Sequence, residues 1–192
     1  MNDAERKLIA LYDQASPAIR RRGRSWYPET NRRLREIAER TGATPAHAAA
    51  VFSIVSPMVQ VMTALDWTEQ ILAGERTYGA FHSQSTKIAR ALASSKPVYY
   101  ISGPKVNPFY RAIQGDTSAL VLDRWALYAA GHPERSSSVT KSAWREIEAA
   151  YRSAAELCGE TVRAFQAIVW IVVRETTPRR NGIVPKLGDL TA

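Results

Sequence analysis

What most constrains this chain is how it starts helices and how rarely it could start a strand. Ser16-Pro17, Thr44-Pro45 and Ser56-Pro57 each set a hydroxyl residue before a proline. In that pairing the hydroxyl caps free amides, and the proline takes a first-turn position where its missing N–H costs nothing. Alternating β-branched runs bounded by Asn-Gly or Asp-Gly turns do not occur, whereas Ala-rich helical spacing recurs throughout. Gly42, Gly74, Gly131 and Gly159 fall where helices should stop. The pattern predicts an all-α protein with helices near 3–14, 17–23, 29–41, 45–55, 57–73, 85–94, 104–114, 117–130, 138–157 and 160–175. Connections are short, and Ser136-Ser137-Ser138 reads as a polar loop and cap. The stretch after Pro178, with Arg179-Arg180 and two glycines, reads as an extended tail.

Composition narrows the function. The 192 residues include 45% hydrophobic side chains, enough to bury a core, and 26 Lys or Arg against 18 Asp or Glu, a net charge of +8. The basic residues are mostly arginine, whose fixed, forked guanidinium suits phosphate, so nucleic acid is the leading partner. Seven arginines, Arg20, Arg21, Arg22, Arg24, Arg32, Arg33 and Arg35, fall within sixteen positions beside Trp26 and Tyr27. This segment is either a phosphate-contacting surface or a solvated helix face, and no acidic cluster elsewhere opposes it. A single cysteine, Cys158, excludes an intramolecular disulfide, a cysteine-rich zinc site and a self-held iron–sulfur cluster. His47, His82 and His132 lack ligand spacing, so neither a metal nor another cofactor is expected. The acidic N-terminus has no apolar core of signal-peptide length, and no apolar run reaches the roughly 18 to 20 residues of a membrane span. A cytoplasmic protein with no membrane contact is the expectation.

The sharpest local feature is Tyr99-Tyr100-Ile101-Ser102-Gly103-Pro104-Lys105-Val106, which reads as a tight turn between two helical segments. Gly103 permits close backbone approach, and Pro104 presets a helix whose first turn would carry Lys105. Amide donors at such a helix start suit phosphate, and the dipole there disfavours a protonated amine, favouring nucleophilic use of Lys105. Eighteen positions on, Asp123 follows Val121-Leu122 at the expected start of an apolar helix. It could pair with Lys105, pair with Arg124, or simply cap the helix. Tyr99, Tyr100, Tyr110 and Trp125 flank both residues in sequence, either to sandwich a base or to fill the core.

On these residues the chain resembles the helix-hairpin-helix DNA glycosylase superfamily of the endonuclease III type. Gly103-Pro104-Lys105 stands where that family has a hairpin ending in Gly-x-Lys, and Val121-Leu122-Asp123 where it has a helix-starting Asp after an apolar residue. Val51 to Ser56 resembles the helix bearing the family's Leu-Ser-x-Gln element, with Gln60 a turn later in place of the missing Gln. Trp144 to Leu157 and Phe165 to Arg174 resemble its closing helices. The differences are local: Ile101 replaces the hairpin's first Gly, Trp125 stands where His is common, and the four-cysteine cluster loop is absent.

The resemblance implies a two-lobed all-α fold with a cleft between the lobes: a terminal helical lobe from 1–25 and 132–178, and a helical barrel over 26–131 with the hairpin near 99–106. Residues 179–192 remain the extended tail. It further implies a DNA glycosylase with AP-lyase ability that flips a modified or damaged base out of duplex DNA. Lys105 would be the nucleophile and Asp123 its electrostatic partner. Ser102, Gly103, Gln60 and the arginines at 20, 21, 22, 24, 32 and 33 would contact DNA, with Tyr99, Tyr100, Tyr110 and Trp125 around the base. A monomer in a bacterial, archaeal or phage-infected cell is expected. Two alternatives stay open, a non-catalytic DNA-binding protein of the same fold and a base-modification enzyme with a glycosylase-like cleft.

Overall fold

A computed structural model describes residues 1–132 and 139–176. Among them the secondary structure is helical and no strand occurs. The α-helices are α1 Asp3–Asp13, α2 Pro17–Thr41, α3 Pro45–Val55, α4 Val61–Leu72, α5 Ser85–Leu92, α6 Val106–Ile113, α7 Arg124–Ala129, α8 Lys141–Leu157 and α9 Val162–Thr176, with 3-10 turns at His82–Gln84 and Pro97–Tyr100. Two of the expected hydroxyl caps form: the Ile19 amide donates to Ser16 Oγ at 3.2 Å, and the His47 amide to Thr44 Oγ1 at 3.2 Å. The serine run at 136–138 and the tail at 179–192 lie outside the described residues.

Several predicted boundaries are corrected. The two helices expected over 17–23 and 29–41 are one, α2, which runs through Gly23 and Pro28. Pro28 deletes one intrahelical bond, while buried Tyr27, Thr30, Leu34, Ile37 and Ala38 hold the helix together on either side. The helix expected from Pro57 starts at Val61 instead, because Met58 takes a left-handed φ of 66° and breaks the run. The helix expected over 117–130 shrinks to α7, which begins only after Asp123. Likewise α6 starts at Val106, leaving Pro104 in the preceding turn and Lys105 at the N-cap.

The chain forms two compact units, Met1–Glu29 with Gly115–Thr177, and Thr30–Gln114. In the first, α1, α7 and α8 pack on α9. Their core includes Leu8, Tyr12, Leu127, Ile147, Tyr151, Phe165, Ile168 and Val172. Tyr12 stacks on Phe165 with centroids 5.4 Å apart, and the buried Tyr151 hydroxyl donates to the Ala126 carbonyl at 2.9 Å. In the second unit α3 is the central rod: every residue from Ala48 to Val55 is buried, as expected of a helix that is apolar all round. Helices α4, α5 and α6 pack against it. Buried Gln84 ties the unit together, donating to the Ile54 carbonyl at 2.7 Å while its oxygen accepts from the Gly79 and Phe81 amides.

Candidate functional site

Asp123 is built into the first unit. The segment Ala119 to Leu122 is buried and non-helical, and it delivers Asp123 to the N-cap of α7 with an extended backbone. One carboxylate oxygen, Oδ1, accepts from the Trp125 amide at 3.0 Å and the Ala126 amide at 2.9 Å. The other, Oδ2, accepts from the Trp170 indole N–H at 3.2 Å. Three N–H donors from α7 and α9 thus orient a half-buried carboxylate, and among the described residues no cation lies within ion-pairing distance of it. The capping option is realised, and the Arg124 pairing is not. Burial pushes the Tyr27 and Tyr151 hydroxyls well above the ordinary tyrosine range, and the Asp123 charge adds to both shifts.

Lys105 is built into the second unit, where its surroundings are spare. Gly103 adopts φ 112°, the left-handed region that favours glycine, and its carbonyl accepts from the Asn107 amide at 3.3 Å to close the turn. Asn107 Nδ2 donates to the Ile101 carbonyl at 3.2 Å, so buried Ile101 anchors a turn whose Ser102, Gly103 and Pro104 are exposed. Lys105 itself is half-buried, and among the described residues its ammonium has neither a hydrogen bond nor an ion pair. Tyr99 is 74% exposed beside Lys96, whereas Tyr110 is 9% exposed in the core. Trp125, by contrast, belongs to the first unit, half-buried next to Asp123.

Residues 1–177 match the model of a family described as a family of unknown function, DUF7178. The chain belongs to that family. No curated protein and no solved structure matches it. Both halves of the candidate chemistry in this DUF7178 protein, the Gly103–Lys105 turn and the Asp123 cap, lie within the matched span.

Six of the seven arginines in the arginine-rich stretch have partners within the protein. Arg20 donates to the Ala15 and Tyr12 carbonyls and lies 4.2 Å over the Tyr12 ring, closing the end of α1. Arg22 pairs with Glu175 at 2.7 Å, Arg24 with Glu160 at 2.6 Å, and Arg32 with Glu36. Arg33 donates to Met62 Sδ and Arg35 to Asn31. In three of these contacts the partner is a carboxylate, Glu175 and Glu160 from distant positions and Glu36 one turn along α2. Arg21 is exposed, and Gln60 is the exposed N-cap of α4. Among the described residues no group of His, Cys, Asp and Glu is placed to hold a metal ion, and no helix is long and apolar enough to cross a membrane.

Sequence reading missed Trp170 and Arg174. They sit at i and i+4 on α9, the spacing that puts two side chains on one helix face. Arg174 lies 4.7 Å from the Trp170 ring centroid and 5.8 Å from that of Trp125. The spacing was visible in Trp170-Ile171-Val172-Val173-Arg174, but nothing in it names Asp123 as the neighbour.

Proposed function

We propose that this protein is a DNA glycosylase with AP-lyase ability, of the two-lobed helix-hairpin-helix kind. The observation that carries the reading is the Asp123 carboxylate, oriented by three N–H donors and left without an ion-pair partner among the described residues. A helix needs only one cap oxygen. A second oxygen anchored by an indole fixes the direction of the negative charge, as stabilisation of an oxocarbenium-like sugar requires. Lys105 supplies an amine on a solvent-facing turn, with no hydrogen bond or ion pair to give up among the described residues. In the reaction the Lys105 ammonium first gives up a proton to solvent, and its amine then bonds to C1′ as the N-glycosidic bond breaks. The base leaves with the electron pair and takes a proton from solvent. Loss of a further amine proton with ring opening gives a Schiff base, and β-elimination then removes a C2′ proton and expels the 3′ phosphate, cleaving the strand. The damaged nucleotide must leave the stack, since C1′ is not reachable within a duplex.

The non-catalytic DNA-binding alternative draws its support from the arginine run. That run serves both readings alike, and the oriented Asp123 carboxylate, which binding alone does not require, favours the enzyme. The test is release of free base from duplexes carrying a panel of damaged and modified bases. Wild type is expected to release at least one base, and Lys105→Ala and Asp123→Asn to lose that release. Release at wild-type rates by Lys105→Ala contradicts the nucleophile assignment.

A further inference from the structure

Arg174 is an unusual cation within the first unit. It is half-buried on α9, with the Trp170 ring centroid 4.7 Å from its guanidinium carbon and that of Trp125 at 5.8 Å. Arg124, the first residue of α7, places its own guanidinium carbon 5.1 Å from the same Trp125 ring. Neither arginine has a hydrogen bond or an ion pair among the described residues, although Asp123 is near enough to act on Arg174 electrostatically. Burial lowers the Arg174 pKa; Asp123 opposes that shift, and Arg124 adds to it.

Two like charges gathered on one indole repel, and a half-buried guanidinium without an anion carries a desolvation cost. Stacking on indoles offsets part of it. Stacking engages only the flat face, so the in-plane N–H forks of Arg174 remain available to donate to a bidentate oxyanion. We propose that Arg174 and Arg124, ordered by Trp125 and Trp170, form a binding site for a backbone phosphodiester of nucleic acid. The choice of nucleic acid as the source rests on the glycosylase reading and on the +8 net charge; the two-arginine oxyanion site rests on geometry alone. Arg22 and Arg24 differ in that each has its own glutamate.

The test is affinity for a duplex carrying a tetrahydrofuran abasic-site analogue, measured across a salt series. Wild type, Arg174→Gln, Arg174→Lys and Arg124→Gln are compared, with inorganic pyrophosphate titrated in parallel against tryptophan fluorescence. Losing one phosphate contact should lower the salt slope by about 0.9 and weaken binding roughly tenfold near physiological salt. Arg174→Lys, which keeps charge but not the fork, should fall between wild type and Arg174→Gln. Pyrophosphate should perturb wild-type fluorescence more than that of either Gln variant. If Arg174→Gln fails to fold, as judged by far-UV circular dichroism, the exposed Arg124→Gln variant decides the question alone. Unchanged slope and affinity in the folded Gln variants overturn the site. A pyrophosphate response without duplex binding overturns nucleic acid as its source. Failure of base release with the slope change intact sinks the glycosylase reading and leaves the phosphate site standing.

Discussion

Asp123 and Lys105 carry the proposed chemistry from two differently built surroundings. The carboxylate is held by two α7 amides and an α9 indole, next to a core that includes Leu122 and Ala126. The amine rides on a turn closed by one backbone hydrogen bond and anchored by Ile101, with exposed residues on three consecutive positions before it. A group that must present a fixed charge is costly to leave mobile, so structure and chemistry share the same bonds at Asp123. A nucleophile that must travel toward a sugar carbon gains from having no partner to give up. Substitutions at Asp123 should therefore mix stability with activity, and substitutions at Lys105 should not.

The contrast is broken most directly through two glycines. A Cβ at Gly23 would lie 2.3 Å from Ile168 Cγ1 and 2.8 Å from the Ile168 backbone, where α2 meets α9. Overpacking there outweighs the better helix propensity of alanine, and Gly23→Ala should lose about 3 kcal/mol in urea denaturation. At Gly103 a Cβ meets nothing within 4 Å, and only the φ of 112° resists it. Gly103→Ala should cost about 1 kcal/mol. Equal losses at the two positions would remove the distinction between a tightly packed unit and an open turn.

Next in size are the two candidate residues themselves. Asp123→Ala removes the α7 cap and strands the Trp170 indole N–H, a loss of about 2 kcal/mol by denaturant midpoint. Asp123→Asn keeps an acceptor and should lose about half of that. Lys105→Ala should stay within about 0.5 kcal/mol of wild type while abolishing base release. A destabilisation by Lys105→Ala as large as that by Asp123→Ala would show the lysine to be structural.

The smallest effect belongs to the surface pair Arg40–Glu69, at 2.7 Å. Hydrogen bonding from Arg40 holds the Glu69 carboxyl below its ordinary value near 4.5, against the opposing effect of partial burial. Because the folded value is the lower one, its stabilisation is present above the ordinary value and fades as pH falls through the folded value. Arg40→Ala should flatten the acid side of the stability curve slightly and leave its shape at neutral pH unchanged. A steeper acid limb in the variant would reverse the sign of this account.

The helical class was legible because hydroxyl–proline starts and apolar spacing are local signals, and Thr44-Pro45 opens α3 as read. Boundaries failed where tertiary burial overrode a local breaker, as at Pro28 inside α2, or where a single backbone state intervened, as at Met58. Asp123 was legible as a cap candidate from its position. Its indole donor is 47 positions away on α9, and no pattern in one sequence joins them. The same holds for Arg22 and Glu175, separated by 153 positions. Distant glutamates pair with two arginines of the stretch, Arg22 and Arg24. Gln84 was equally invisible, since its work is to satisfy the Ile54 carbonyl at the end of α3 and the amides of Gly79 and Phe81.

Borohydride reduction during turnover on a duplex whose base is released, followed by peptide mapping of the DNA-linked residue, tests the central claim most directly. The proposed chemistry predicts one adduct, on Lys105, that is absent from Lys105→Ala. An adduct mapping to another residue, or one that persists undiminished in Lys105→Ala, contradicts it.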